Sequence, residues 1–139
     1  MEPNTTPGDR GRAGARGFTL LELITVVALI GILAAIALPN YRVAIIQARE
    51  AVLMENLFQL RDMVDQYYID KGQYPPSLES LVEAGYLRKL PKDPITQSPD
   101  WIEVFSEPDP DRPGEPPGVF DVHSASELLS LTGTPYSEW

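Results

Sequence analysis

The sequence contains no cysteine, and this absence removes several classes of chemistry. Disulfide bonds, thiolate metal sites and cysteine nucleophiles are all excluded. Histidine occurs once, at His123, so a catalytic triad would have a single candidate base. Basic residues are also scarce, with 11 Lys and Arg against 20 Asp and Glu and a formal net charge of -9. Because contacts to nucleic-acid phosphates rely on Lys and Arg, this balance disfavours a nucleic-acid partner.

Large apolar side chains are almost missing from residues 1–17, MEPNTTPGDRGRAGARG, where Gly, Pro and Arg dominate. Such a leader cannot bury enough apolar surface to form part of a packed core. Its glycine-rich stretch at residues 8–17 superficially resembles a phosphate-binding loop. It lacks the Gly-Lys-Ser/Thr ending and follows no strand, so we do not predict a nucleotide site.

One long hydrophobic run follows at residues 18–38, with Glu22 as its single charged residue. At about 1.5 Å per residue, a helix of this length spans roughly 30 Å, the thickness of a bilayer core. A buried helix of a soluble protein could look similar, but rarely at this length in so small a chain. Arg10, Arg12 and Arg16 precede the run. The positive-inside rule therefore predicts a single-pass membrane helix with a cytoplasmic N-terminus.

An amphipathic pattern extends the helical signal over residues 39–71. Apolar side chains recur there at steps of four, three, four and four, which places them on one face of a helix. They are Leu53, Leu57, Leu60, Val64 and Tyr68. Glu55 and Asp62 fall on the opposite face. Lys71 and Gly72 fit a basic last turn and a C-terminal cap, so the helix is expected to end there.

Shorter elements are predicted in residues 72–139, the globular head. Ser77 can cap a short helix that runs to about Ala84, and strands are expected at residues 102–105 and 118–122. The tyrosines and tryptophans expected to pack the helix against the head are Tyr67, Tyr68, Tyr74, Tyr86, Trp101 and Trp139. The expected fold class is α+β: a long N-terminal helix, transmembrane in its first half, on a small head with a short helix and a small antiparallel sheet.

The junction between leader and apolar run reads Gly17-Phe18-Thr19-Leu20-Leu21-Glu22. A removable secretory signal has its small-residue cleavage site after the apolar region, whereas here Gly17 comes before it. Cleavage after Gly17 would leave the run attached and free an amine on Phe18. A carboxylate in a membrane helix costs a few kcal/mol, so Glu22 needs an explanation. It either reaches for water at the interface or pairs with the Phe18 amine of a neighbouring copy.

This junction, with Pro39 placed 21 residues beyond Phe18, closely resembles the class III signal of type IV pilins and type II secretion pseudopilins. The resemblance implies that a prepilin peptidase cleaves between Gly17 and Phe18 and methylates the new Phe18 amine. It also implies that Glu22 drives assembly into a helical filament. Gly31 and Pro39 match family positions between which the helix can loosen in a filament.

The head extends the resemblance. DKGQYPPSLESLVEAGYLRKLPKDP and GVFDVHSAS are most similar to the corresponding segments of major pseudopilins. Type IV pilins more often close this region with a disulfide, so the lack of cysteine favours a pseudopilin. In major pseudopilins a Gly- and Asp-rich loop holds a calcium ion, and Asp121 and Ser124 match its start. In this chain, Glu127 and the leucines after it replace the acidic part of that loop. Calcium prefers about six to eight oxygen ligands, so Asp121, Ser124 and Glu127 supply too few side chains unless backbone carbonyls contribute.

The resemblance implies a structural subunit of a type II secretion pseudopilus, with no catalytic residue. Such a subunit is anchored in the inner membrane and has a periplasmic head. It polymerises with copies of itself, and its partners are other pseudopilins and an inner-membrane assembly platform. The filament drives export of folded proteins across the outer membrane. One alternative is a type IV pilin for adhesion, motility or DNA uptake. Another is a membrane-anchored enzyme or binding protein that never polymerises. An enzyme is the less expected of these, because His123 is predicted to be a surface or packing residue.

Overall fold

The structure is a computed structural model that describes residues 17–139. The expected leader at residues 1–17 lies outside the described residues, apart from Gly17. Five elements follow in chain order: α1 (Leu20–Lys71), α2 (Leu78–Glu83), β1 (Trp101–Phe105), β2 (Val119–Ser124) and a 3-10 helix (Tyr136–Glu138). A long apolar helix, a short helix and a two-stranded antiparallel sheet confirm the expected fold class.

The chain divides into two compact units, Met1–Pro39 and Asn40–Trp139. In the first unit, every described residue is exposed to solvent, including all the apolar ones. Its part of α1 contains the only helix segment in residues 17–139 that is long and apolar enough to cross a membrane. Length and composition alone support this assignment.

The core of the second unit is built on one face of α1. Leu53, Leu57, Leu60 and Val64 are buried there, as the spacing predicts. Tyr68, the fifth position of the pattern, is half-buried. The other buried apolar residues are Leu78 and Leu81 of α2, Val119 and Val122 of β2, and Tyr136 of the 3-10 helix. Removal of this apolar surface from water is the main stabilising contribution to the head.

The start and end of α2 follow the predicted capping signals. The Ser77 hydroxyl oxygen accepts a hydrogen bond from the Ser80 N–H at 3.3 Å, and Gly85 follows the helix with a φ of 84°. The N–H of Leu78 donates to a carboxylate oxygen of Glu103 on β1 at 2.7 Å. One of the N–H groups that a helix start leaves unpaired is therefore satisfied by the sheet.

The two strands pair in antiparallel register, with Trp101 opposite Ser124 and Val104 opposite Asp121. Both strands occur near their predicted positions: β1 starts one residue earlier, whereas β2 starts one residue later, at Val119, and continues to Ser124. Gly118 precedes β2, and a Cβ atom there would lie 2.5 Å from the Tyr74 Cβ. Only glycine allows this close approach of the two backbones.

Aromatic side chains pack around this core as predicted. The rings of Tyr67 and Tyr86 lie 5.4 Å apart, and those of Tyr68 and Tyr74 lie 4.5 Å apart. The indole N–H of Trp101 donates to the Pro91 carbonyl oxygen at 2.9 Å. These contacts fasten the C-terminal half of α1 and the following loops to each other.

Two adjacent residues of α1 allow a matched test of the buried face. Leu57 is 2% exposed and Phe58 is 67% exposed. Leu57→Ala leaves a cavity and should lower the free energy of unfolding by about 2–5 kcal/mol. Phe58→Ala should change it by no more than about 0.5 kcal/mol in the isolated subunit. Denaturant unfolding of the full chain in detergent measures both, and equal losses would contradict the assigned face.

Candidate assembly site and head contacts

The proposed processing site lies on exposed, non-helical chain just before α1. Gly17 and Phe18 are both exposed, and 76% of Phe18 is accessible. A Cβ atom on Gly17 would meet no other atom within 4 Å. Among residues 17–139, nothing packs against Gly17, and the Phe18 side chain is largely exposed.

Thr19 caps the N-terminus of α1, and the sequence analysis did not predict this cap. Its hydroxyl oxygen accepts a hydrogen bond from the Glu22 N–H at 3.2 Å, and its carbonyl oxygen accepts one from the Leu23 N–H at 3.1 Å. The Thr-Leu-Leu-Glu spacing is that of a capping box, and this signal was available in the sequence. The cap places Glu22 in the first turn of α1, where a negative side chain is favoured by the helix dipole.

Glu22 stands alone as a charged side chain on an apolar surface. Residues 18–38 contain no other ionisable side chain. The Glu22 side chain is exposed, and no ion pair within residues 17–139 includes it. A carboxylate in this position is available to a group from outside the described chain.

Thr25, Gly31 and Pro39 also lie in this part of α1. The Thr25 hydroxyl donates to the Leu21 carbonyl oxygen at 2.8 Å, a hydrogen bond within the helix itself. Gly31 and Pro39 both lie inside α1, and a Cβ atom on Gly31 would meet no other atom within 4 Å. Loosening of the helix between Gly31 and Pro39 remains a prediction.

The Asp121 carboxylate, a predicted calcium ligand, is bound by an arginine from α1. Arg61 Nε donates to Asp121 Oδ1 at 2.7 Å, and the Val122 N–H donates to the same oxygen at 2.7 Å. Arg61 Nη2 donates to the carbonyl oxygens of Val122 and Trp139 at 2.9 and 2.8 Å. The Arg61 guanidinium therefore binds the same carboxylate that a calcium ion would need as a ligand.

Ser124, the second predicted ligand, faces a different partner. It is fully buried, and its hydroxyl donates to Asp93 Oδ2. Asp93 is also fully buried, and its Oδ1 accepts the N–H groups of Ile95 and Thr96 at 2.7 and 3.3 Å. Asp93 lies near the end of the segment DKGQYPPSLESLVEAGYLRKLPKDP, and its bond to β2 was not anticipated from the sequence.

These contacts do not fit the calcium ion that the resemblance implies. Asp121 and Ser124 are engaged by Arg61 and Asp93, and no buried side-chain polar atom of the described residues lacks a hydrogen-bond partner. Nowhere in the described chain do three His, Cys, Asp or Glu side chains group as metal ligands would. Calcium needs several carboxylate or carbonyl oxygens around one point.

His123 is half-buried and makes polar contacts within the head, which fits the surface or packing role expected for it. Its Nδ1 lies 2.7 Å from the Trp139 carbonyl oxygen, and its Nε2 lies 3.4 Å from Asp121 Oδ2. The neighbouring Ser124 hydroxyl is directed to Asp93 instead of the imidazole. The arrangement offers no nucleophile and base in hydrogen-bond contact at this position.

Glu50 on α1 makes contacts that no sequence signal indicated. Its Oε1 accepts the Leu131 N–H at 2.8 Å and the Tyr136 hydroxyl at 2.9 Å. Burial, and then the hydrogen bond to Glu50, raise the pKa of Tyr136 above its usual value, so the phenol remains a proton donor. More than 80 residues separate the partners, so local pattern analysis could not find them.

Comparison with known proteins gives a consistent result. The family model described as the prokaryotic N-terminal methylation motif matches residues 12–38. That match includes Gly17, Phe18 and Glu22. No solved structure is matched.

Several relatives are named type II secretion system core protein G. The Escherichia coli (strain K12) protein is 34% identical over 131 residues, covering 83% of this chain and 79% of that protein. The Klebsiella pneumoniae protein is 34% identical over 95 residues, covering 57% and 68%. The Vibrio cholerae protein is 36% identical over 93 residues, covering 56% and 64%. The chain therefore belongs to the family of type II secretion system core protein G.

Proposed function

We propose that this chain acts through assembly: its N-terminal helix packs with copies of itself in a filament, and its head is displayed on that filament. Membership of the family makes it a pseudopilin, a membrane-anchored structural subunit of the type II secretion pseudopilus. The observation that carries the proposal is the apolar surface of residues 18–38, which is exposed at every position and carries one carboxylate, Glu22.

The exposed apolar surface requires a covering. Leu20, Ile30 and Leu38 are 74%, 59% and 64% exposed, and nothing in residues 17–139 covers them. Lipid tails and apolar side chains are similarly hydrophobic, so one surface can be covered by lipid before assembly and by neighbouring helices afterwards. A subunit can thus leave the bilayer for the filament without exposing this surface to water.

Glu22 supplies the specificity that an apolar helix lacks. Cleavage after Gly17 would create an ammonium group on Phe18, four residues before Glu22. Each charge by itself is costly in lipid, and each can be neutralised by the other. Pairing between copies, instead of within one copy, would couple neutralisation to polymerisation and would set the axial step between subunits.

The membrane arrangement follows from charge. Arg10, Arg12 and Arg16 precede the apolar run, which favours a cytoplasmic leader and a periplasmic head in the inner membrane. A prepilin peptidase would then process the Gly17–Phe18 bond. The filament would grow in the periplasm, with other pseudopilins and an inner-membrane platform as partners, and would drive export of folded proteins across the outer membrane.

Substitution of Gly17 tests the processing step. In cells that contain prepilin peptidase, the wild-type chain should begin at a methylated Phe18, as measured by intact mass and N-terminal sequencing. Gly17→Val should retain the leader, because the bulkier side chain obstructs the peptidase. The fold should be unaffected, since a Cβ atom at Gly17 meets nothing within 4 Å.

Gly14→Val is the matched control, because it makes the same change three residues before Gly17. It should be processed like the wild type. A wild-type chain that keeps Met1 in the presence of the peptidase would contradict the assigned cleavage site.

Substitution of Glu22 tests the assembly step. Glu22→Ala and the uncharged, similarly sized Glu22→Gln should each reduce filaments at least about tenfold, which corresponds to about 1.4 kcal/mol of lost subunit interaction. Subunit levels in the membrane should stay normal. Electron microscopy of filaments and immunoblots of membrane fractions measure the two quantities.

Thr25→Ala is the control for this experiment. It removes a polar group from the same apolar segment, but that group bonds only to its own helix. Thr25→Ala should therefore assemble normally. Normal filaments from Glu22→Ala would contradict the assembly role of Glu22. A wild-type chain that functions without forming filaments would instead support an anchored protein that does not polymerise.

A further inference from the structure

Residues 125–135 form the C-terminal loop, which connects β2 to the 3-10 helix. It folds back on itself as a small turn. The Ser130 N–H donates to the Thr134 carbonyl oxygen at 2.9 Å, and the Gly133 N–H donates to the Ser130 carbonyl oxygen at 3.0 Å. Gly133 has a φ of 86°, which favours glycine at that position. Leu129 and Pro135 form an isolated antiparallel bridge that closes the loop.

The loop is fastened to α1 through a carboxylate. Leu131 follows Ser130 in the turn, and its N–H donates to Glu50 Oε1 at 2.8 Å. The hydroxyl of Tyr136, just beyond the loop, donates to the same oxygen at 2.9 Å. The Tyr136 side chain is buried in the core, so the bond joins the loop, the core and the helix. Hydrogen bonds to a charged acceptor are stronger than neutral ones.

A second α1 side chain fastens the segments on either side of the loop. Arg61 binds the carbonyl oxygens of Val122 and Trp139, which lie before and after it. Glu50 and Arg61 are 11 residues apart, about three helical turns, so they lie on the same side of α1. The chain from β2 to Trp139 is thus held by one anion and one cation of the same helix.

This attachment has the opposite polarity to a calcium site. A calcium ion collects oxygen acceptors, whereas Glu50 collects an N–H and an O–H donor. The C-terminal loop has one acidic residue, Glu127, and its side chain accepts from the Ser137 hydroxyl at 3.5 Å. Leu128, Leu129 and Leu131 bring no side-chain oxygen. The donors that face Glu50 would repel a cation from that point.

We propose that the Glu50 carboxylate replaces a calcium ion as the attachment of the C-terminal loop, so that the head of this subunit folds without calcium. Arg61 completes the replacement by binding the Asp121 carboxylate. In the cell, the stability of the subunit would then be independent of the calcium concentration around its head.

Thermal unfolding of the full chain in detergent tests the absence of a calcium requirement. Tm should differ by less than about 2 °C between chelator and about 5 mM calcium, a concentration above the roughly 0.1–1 mM dissociation constants of weak extracellular sites. Magnesium at the same concentration controls for screening of the acidic surface. A rise in Tm of more than about 2 °C with calcium, but not with magnesium, would overturn the proposal.

Substitution of Glu50 tests the replacement itself. Glu50→Ala should lower Tm by at least about 5 °C, because it leaves the Leu131 N–H and the buried Tyr136 hydroxyl without their acceptor. Glu55→Ala is the matched control. It removes the same charge from the same helix, but Glu55 is exposed and bonds only to Gln59 one turn away. Equal shifts in the two variants would overturn the proposal.

A third variant keeps the test decisive if Glu50→Ala does not fold. Tyr136→Phe retains the buried ring and removes only the hydroxyl that donates to Glu50. It should lower Tm in the wild-type chain by more than Glu55→Ala does. Where Glu50→Ala does fold, adding Tyr136→Phe should cause less than half of its separate effect, because the shared bond is already lost. No loss of Tm in Tyr136→Phe would argue against a stabilising Glu50 contact.

Discussion

One buried face of α1 is the constraint on which the head depends. Leu53, Leu57, Leu60 and Val64 form the surface against which α2, β2 and the 3-10 helix bury their own apolar side chains. A two-stranded sheet is marginal by itself in water, and a six-residue helix is too short to be stable alone. Both persist because α1 offers a regular apolar stripe that neither element could supply.

Charged groups complete the head by connecting segments that are distant in sequence. Arg61 binds β2 and the last residue, Glu50 binds the C-terminal loop, and Asp93 binds β2 from a loop. In each case the charged group receives or supplies more than one hydrogen bond. Buried polar groups are tolerated when they are satisfied in this way. The same contacts occupy the groups that a metal ion would otherwise use.

Apolar side chains are arranged differently in the two halves of α1. From Leu53 onward, one apolar face repeats every three or four residues, and its members Leu53, Leu57, Leu60 and Val64 are buried within the subunit. Before Pro39, apolar residues cover every side of the helix and are exposed. The first arrangement stabilises a single subunit, whereas the second is suited to lipid and to other copies. Glu22 interrupts the second arrangement at the place where a new N-terminus would form.

The sequence by itself determined the elements whose signals are local: α1 and its buried stripe, the Ser77 cap of α2, both strands, and the Gly17–Glu22 junction. Spacing along the helix and capping residues act over a few positions, so they can be read directly. Only the tertiary structure decided the partners of Asp121, Ser124 and Glu50. The sequence around Asp121 and Ser124 is the same whether a calcium ion or an arginine binds the carboxylate. That choice depends on residues some 30 to 80 positions away, which chain folding alone brings into contact.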